Sequence, residues 1–130
     1  MPRVVHFEIH ADNPERAVAF YSKVFGWTLK SWGGPVEYWV ITTGAASERG
    51  IDGGLLRRRT PPPAEGQAVN SYVCTIDVPN LDEFQKKALA AGAQVALPKM
   101  PVPGIGWLAY FKDTEANIFG MIQSDPNAKM

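Results

Sequence analysis

Near its start, the chain alternates strictly between apolar and polar positions. The alternation runs from Val5 to His10, and His6, Glu8 and His10 form its polar row. Successive side chains of a strand point to opposite faces, so residues two apart stand in one row about 6–7 Å apart. The pattern therefore predicts a strand with one apolar face and one face that carries three metal- or proton-capable side chains.

Two helices are marked by their boundary residues. Asn13 as N-cap, Pro14 at the first helical position and Gly26 just past the end predict the first helix. Asn80, with a glutamate three residues later, resembles a capping box that opens a second helix, which ends at Gly92. Apolar residues recur at helical spacing between both pairs of boundaries.

The two halves of the chain repeat the same order of elements. An offset of 67 residues places Ile9 on Ile76 and Asn13 on Asn80, which indicates an internal duplication. We predict a loop over the Pro- and Gly-rich segment from Pro98 to Gly106. The other predicted strands are 27–32, 37–43, 51–57, 71–78, 94–97, 108–112 and 117–123.

The duplication predicts a single α+β domain over residues 1–130. Repeat one spans about 3–60, repeat two spans about 68–124, and a Pro-rich segment around 60–66 joins them. Each helix should cover one face of its sheet, and the uncovered faces should line a concavity. The row of His6, Glu8 and His10 would face that concavity.

Composition narrows the classes of partner. The chain has 130 residues with 13 basic and 13 acidic side chains, so its formal net charge is zero. This balance favours neither nucleic acid nor an anionic membrane as partner. The basic run Arg57–Arg59 is more typical of a solvated strand end than of an anion site. We expect no membrane span, because no apolar stretch reaches the required length.

The cysteine content and the N-terminus favour a cytoplasmic protein. Cys74 is the only cysteine, which excludes an intrachain disulfide and fits a reducing compartment. Its place in the strand pattern predicts a buried, inert thiol that points toward the second helix. The first residues lack the apolar region and cleavage site of a secretory signal.

Several segments resemble the glyoxalase/bleomycin resistance/dioxygenase group, also called the vicinal oxygen chelate superfamily. The most diagnostic phrase is Phe20-Tyr21 with Phe25-Gly26-Trp27, and the other matching segments are 5–9, 72–78, 90–93 and 111–117. The resemblance implies two βαβββ repeats that form a curved mixed sheet around a cleft. It further implies a small-molecule ligand, aromatic or oxygenated, and assembly as a homodimer.

The resemblance also implies where a metal would be held. Metal-using members of that superfamily take one ligand from the first strand and one from the last strand of each repeat. His6 matches the first position, and Asp52 is an oxygen ligand candidate in the last strand of repeat one. Val73 and Gly120 fall at the two positions of repeat two, and neither side chain can bind a metal. Two ligands are fewer than catalytic metal sites normally show.

Three interpretations of the polar row stay open. His6, Glu8 and His10 could together hold a divalent metal, since imidazole and carboxylate suit zinc, iron or nickel. Without a metal, Glu8 could act as a general base and His6 could shuttle a proton. The third interpretation is a hydrogen-bonded polar cluster with a structural role. The sequence assigns no cofactor, and a divalent metal stays open as a candidate.

The predicted function is the binding of a small organic ligand in the cleft, with catalysis undecided. The alternative is a metal-dependent lyase, isomerase or dioxygenase that uses His6 and Glu8 as catalytic residues. Large aromatic side chains would supply apolar walls, and Trp107 is favoured among them because it follows a Pro- and Gly-rich loop. The predicted ligand-binding residues are His10, Trp39, Asp52, Tyr72 and Trp107.

Overall fold

A computed structural model describes residues 2–67 and 72–130. The chain divides into two compact units: residues 6–72 form one, and residues 73–130 with 1–5 form the other. Each unit carries one of the two predicted repeats. That both repeats belong to a single domain stays a prediction.

The predicted fold class is confirmed, because each repeat has the order strand, helix and three strands. The helices are α1 (Pro14–Phe25) and α2 (Leu81–Ala90). The strands are β1 (Arg3–Ala11), β2 (Thr28–Ser31), β3 (Trp39–Thr42), β4 (Asp52–Arg57), β5 (Tyr72–Asp77), β6 (Gln94–Val102), β7 (Gly106–Lys112) and β8 (Ile118–Ser124). In the part of the chain that the structure describes, neither helix is long and apolar enough to cross a bilayer.

The first repeat is a mixed sheet in the order β2-β3-β4-β1. β1 and β4 run parallel, with His6 opposite Asp52 and Glu8 opposite Gly54, whereas β3 is antiparallel to both of its neighbours. The Asn13 side chain accepts the Arg16 N–H at 3.1 Å and so caps α1 as predicted. The Asn13 cap therefore fixes the start of α1 directly after the end of β1.

The core of the first repeat lies between its sheet and α1. Phe7, Ile9 and Ala11 of β1 are buried together with Ile41 and Leu55. Ala17 and Tyr21 of α1 pack against this cluster. Since side chains alternate across a strand, His6 and Glu8 must stand on the other face of the sheet.

The second repeat has the order β5-β8-β7-β6, with its own core beneath α2. The loop predicted over 98–106 is wrong in its first part, because β6 continues to Val102. Pro98 and Pro101 are tolerated there since β6 is the last strand in the order and its pairing shifts register between Leu97 and Met100. Only residues 103–105 separate β6 from β7.

The expected burial of Cys74 is wrong, because this thiol is exposed. The alternation of β5 does place Cys74 on the same face as Ile76, which packs against the core under α2. Burial on that face is complete only further along, at Val78. Cys74 lies too near the start of the strand to be covered.

Candidate functional site

The polar row of β1 meets a tyrosine that the sequence did not single out. The Tyr38 hydroxyl lies 3.0 Å from His6 Nε2 and 3.3 Å from Glu8 Oε2. His6 Nε2 and Glu8 Oε2 are themselves 3.8 Å apart, and the two side chains are 33% and 13% exposed. We call these three residues the His6–Tyr38–Glu8 cluster.

A glycine in β4 makes room for this hydroxyl. Gly54 stands opposite Glu8 across the parallel β1–β4 pair. A Cβ at Gly54 would overlap the Tyr38 hydroxyl oxygen and would come within 2.8 Å of its ring carbon Cε1. Any larger side chain at position 54 would therefore displace Tyr38 from between His6 and Glu8.

The cluster has a defined arrangement of protons. Burial, followed by the charge of Glu8 and the hydrogen bond to it, raises the pKa of Tyr38 far above its ordinary value of 10.0. Tyr38 is therefore neutral at physiological pH and donates its hydroxyl proton to Glu8. Its oxygen then accepts from His6, which requires the proton of the imidazole to be on Nε2.

Asp52 makes contacts of another kind. Its carboxylate accepts a hydrogen bond from the Thr43 N–H at 2.8 Å and lies 3.3 Å from the Thr43 hydroxyl. Asp52 therefore ties the start of β4 to the end of β3. It stands opposite His6 in register, and its Oδ1 is the oxygen that contacts Thr43.

Trp39 and Tyr72 lie on the face that α1 covers. Trp39 stands opposite the buried Leu55 and packs against the core of the first repeat. The Tyr72 ring stacks on Phe7, with 5.9 Å between centroids and 22° between planes. The structure does not bring these two rings to the His6–Tyr38–Glu8 cluster, and their predicted role in ligand binding has no support from this placement.

A pair of tyrosine hydroxyls joins α1 to the residue that opens β5. The hydroxyls of Tyr21 and Tyr72 lie 2.7 Å apart. Burial, followed by this hydrogen bond, raises the pKa of Tyr21 to about 12. The Tyr21 ring also stacks on Trp27 at 5.3 Å with only 4° between planes, so these side chains are part of an aromatic layer under the helix.

Trp107 lies within β7 of the second repeat. It packs against the core beneath α2, and its indole Nε1–H donates to Asp125 Oδ2 at 3.0 Å. Lys99 Nζ stands 5.2 Å from the Trp107 ring centroid. These contacts give Trp107 a packing role within its own repeat.

His10 ends the polar row but does not join the cluster. It lies at the end of β1 and lines a separate pocket beside the first turn of α1. Burial is the largest cause that lowers its pKa below the ordinary 6.5, and the nearby Arg58 and Arg59 add to the shift against the opposing charge of Glu8. His10 is therefore neutral near pH 7.

Two signals in the sequence could have indicated Tyr38. The predicted strand over 37–43 places Tyr38 and Trp39 on opposite faces, so only one of them can share a face with His6. The consecutive glycines Gly53 and Gly54 in a strand also indicate a close approach by another group. Which side chain makes that approach depends on the pairing of β3 with β4.

The register places a glycine at matching positions in the last strands of the two repeats. Glu8 stands opposite Gly54, and Thr75, 67 residues further on, stands opposite Gly120. A Cβ at Gly120 would come within 2.9 Å of the Tyr110 ring. Both positions are therefore glycines, and a tyrosine side chain fills the space beside each.

The residues present do not fit the metal site that the resemblance implies. Across residues 2–67 and 72–130, no group of three His, Cys, Asp or Glu side chains is close enough to hold a metal ion. In the first repeat, the Tyr38 hydroxyl takes the position between His6 and Glu8 that a shared ion would need.

A sequence model of the Glyoxalase/Bleomycin resistance protein/Dioxygenase superfamily matches residues 3–119. The chain belongs to this superfamily. Among curated proteins, it is 31% identical over 121 residues to Putative glyoxylase CFP32 of Mycobacterium bovis, and equally to the protein of that name from Mycobacterium tuberculosis. The match covers 92% of the chain but only 43% of each relative, so the chain spans less than half of their length.

Solved structures share the fold at low sequence identity. The hypothetical protein BH1468 from Bacillus halodurans C-125 has a TM-score of 0.67 at 15% identity, with 99% of each chain covered. A single-residue variant of Streptomyces coelicolor methylmalonyl-CoA epimerase, in complex with 2-nitronate-propionyl-CoA, has a TM-score of 0.65 at 16% identity, with 98% of each chain covered. At these identities the likeness extends to the superfamily fold alone.

Proposed function

We propose that the chain binds a small oxygen-bearing organic molecule at the His6–Tyr38–Glu8 cluster and needs no metal to do so. The observation that carries the proposal is the Tyr38 hydroxyl between His6 Nε2 and Glu8 Oε2, at 3.0 and 3.3 Å. Membership of the superfamily supports it. Further support comes from a protein of this fold that was solved with 2-nitronate-propionyl-CoA, itself an oxygen-bearing organic ligand.

The cluster offers a ligand both a donor and an acceptor. His6 is more exposed than Glu8, so a ligand oxygen approaches from its side and accepts the His6 Nε2–H in place of the Tyr38 oxygen. Glu8 accepts a hydroxyl proton from the ligand. Because His6 Nε2 and Glu8 Oε2 are only 3.8 Å apart, two oxygens on adjacent carbons can reach both groups.

An aromatic side chain beside the cluster favours a ligand with an apolar part. The Trp32 ring meets the Tyr38 ring edge-on, with 6.3 Å between centroids and 74° between planes. Trp32 is 41% exposed, so its remaining surface is free to contact a ligand ring. Ligand sites commonly combine such an apolar wall with a few polar groups.

The same contacts favour proton transfer as the second candidate function. If the bound molecule carries an acidic proton, Glu8 is placed to accept it as general base. Once Glu8 has taken that proton, the Tyr38 hydroxyl would turn from Glu8 and donate to the oxygen on which negative charge develops. This activity would be that of a lyase or isomerase with His6 and Glu8 in catalytic roles, and it differs from the metal-dependent alternative in using only side chains.

The test uses phenylethylene glycol, a neutral aromatic diol, as the probe and calorimetry as the readout. Protein treated with a chelator should bind the probe saturably, and Tyr38→Phe should weaken binding at least about tenfold by removing the central hydroxyl. Tyr21→Phe is the matched control, because it removes the same hydroxyl from the Tyr21–Tyr72 pair, which lies outside the cluster. Binding that appears only after zinc, iron, nickel or manganese is added would contradict the proposal and favour the metal-dependent enzyme.

Glutathione-linked glyoxalase activity is a separate question that the relatives' name raises. We expect no turnover of the methylglyoxal–glutathione hemithioacetal with any of these four metals, because Val73 and Gly120 stand where the resemblance places the metal ligands of repeat two. Turnover with one of them would overturn this expectation. A homodimeric assembly and a cytoplasmic location stay predictions, which light scattering and cell fractionation can test.

A further inference from the structure

A second pocket lies in the first repeat, at the end of β1 and beside the first turns of α1. Its volume is about 380 Å³, within the range of about 300–1,000 Å³ that small-molecule sites occupy. We call it the strand-end pocket, and the residues on which its chemistry depends are His10, Asp12, Arg16, Phe20, Tyr21 and Arg58. None of them belongs to the His6–Tyr38–Glu8 cluster.

The charges that line this pocket leave one arginine uncompensated. Arg58 donates from Nε to Asp12 Oδ1 at 3.1 Å and from Nη2 to the His10 carbonyl at 3.0 Å, so its charge is balanced by Asp12. Within residues 2–67 and 72–130, no ion pair involves the Arg16 guanidinium. His10 contributes no charge near pH 7. The pocket therefore favours an anion at Arg16.

An exposed aromatic ring stands on the same face of α1 as this charge. Phe20, one helical turn after Arg16, is 53% exposed and lines the pocket. Its ring meets Tyr21 edge-on, with 5.1 Å between centroids and 89° between planes. Side chains four residues apart on a helix are neighbours, so a ligand can contact the guanidinium and the ring at once.

We propose that the strand-end pocket binds a small aromatic carboxylate, with the carboxylate on the Arg16 guanidinium and the ring against Phe20. A planar guanidinium can hold a carboxylate through two parallel hydrogen bonds. The neutral His10 imidazole and the apolar floor of Ile9 and Ala17 complete the site. The site is independent of the function proposed for the His6–Tyr38–Glu8 cluster.

The experiment is a titration of isotope-labelled protein with benzoate, followed through the backbone amide signals. Benzoate should shift the amides of residues 9–21 and 58 saturably, and leave those of His6, Glu8 and Tyr38 in place. Arg16→Gln should weaken binding at least about tenfold. Arg16→Lys keeps the charge but cannot make the two parallel hydrogen bonds of a guanidinium, so it should weaken binding less. Lys23→Gln is the matched control, because it removes the same charge from the last turn of the same helix.

Two further probes separate the contributions of charge and ring. Benzamide has the ring without the charge, and cyclohexanecarboxylate has the charge without an aromatic ring. Both should bind more weakly than benzoate. Equal affinity for benzamide, equal losses in Arg16→Gln and Lys23→Gln, or benzoate shifts confined to the His6–Tyr38–Glu8 cluster would each overturn the proposal. The dispersion of the amide spectrum shows in the same experiment that every variant is folded.

Discussion

Replacing Gly54 with alanine tests the placement of Tyr38 directly. The added methyl group would overlap the Tyr38 hydroxyl and approach its Cε1 within 2.8 Å, so the ring must leave its position between His6 and Glu8. Overpacking of this kind costs about 1–3 kcal/mol, and losing the hydroxyl's hydrogen bonds costs about 0.5–1.5 kcal/mol more. The loss of backbone freedom in the unfolded chain offsets about 0.4–1 kcal/mol.

The net expectation for Gly54→Ala is a free energy of unfolding lower by about 0.5–4 kcal/mol. Urea unfolding, followed by far-ultraviolet circular dichroism, measures it. The same substitution is then made in a Tyr38→Ala background, where the ring that meets the methyl group is absent. There it should be stabilising by the entropic term alone, which gives a coupling free energy of about 1.5–4.5 kcal/mol between the two positions.

Two results would refute this reasoning. If Gly54→Ala alone raises stability, the gain from unfolded-chain entropy dominates and no side chain occupies the space beside Gly54. If it costs the same with and without the Tyr38 ring, the loss comes from another contact. Since Gly54 is also the last-strand position of the first repeat, either result would reopen the question of what fills that position.

Three further predictions concern groups outside the cluster. The pKa of the Tyr21 phenol is raised from 10.0 to about 12, so the phenol ionises at a higher pH in the folded protein than in the unfolded chain. Its contribution to stability is therefore full below pH 10 and is lost as the pH rises toward 12. Tyr21→Phe should remove part of this loss in urea unfolding measured across this pH range, and an unchanged loss would contradict the prediction. Arg58→Ala should lower the free energy of unfolding by about 1–2 kcal/mol in thermal unfolding, because it loses the hydrogen bonds to Asp12 and the His10 carbonyl. Arg59→Ala, at the neighbouring exposed arginine, should lower it by less than about 0.5 kcal/mol. Equal losses would argue against the Arg58 contacts. The exposed Cys74 thiol should react with Ellman's reagent in the folded protein, and a reaction that needs denaturant would show the thiol to be covered.

Local signals in the sequence were sufficient for the elements and their order. The first helix begins and ends where predicted, at Asn13, Pro14 and Gly26. Helix caps and breakers act through hydrogen bonds within a few residues, so they can be recognised from local sequence. The offset of 67 residues identified the duplication, and with it the fold class. The extent of β6 was missed, since proline is compatible with a strand only at an edge, and edge position depends on the order of the whole sheet.

The sequence by itself determined that His6 and Glu8 share one face of a strand, because the alternation of side chains is a local property of extended backbone. Only the tertiary structure decided what meets them there. The pairing of β3 with β4 turned Trp39 toward the core and Tyr38 toward the polar row, and the pairing of β1 with β4 set Gly54, not Asp52, opposite Glu8. Register between strands is fixed by contacts distant in sequence, and those contacts placed a tyrosine hydroxyl in the space between His6 and Glu8.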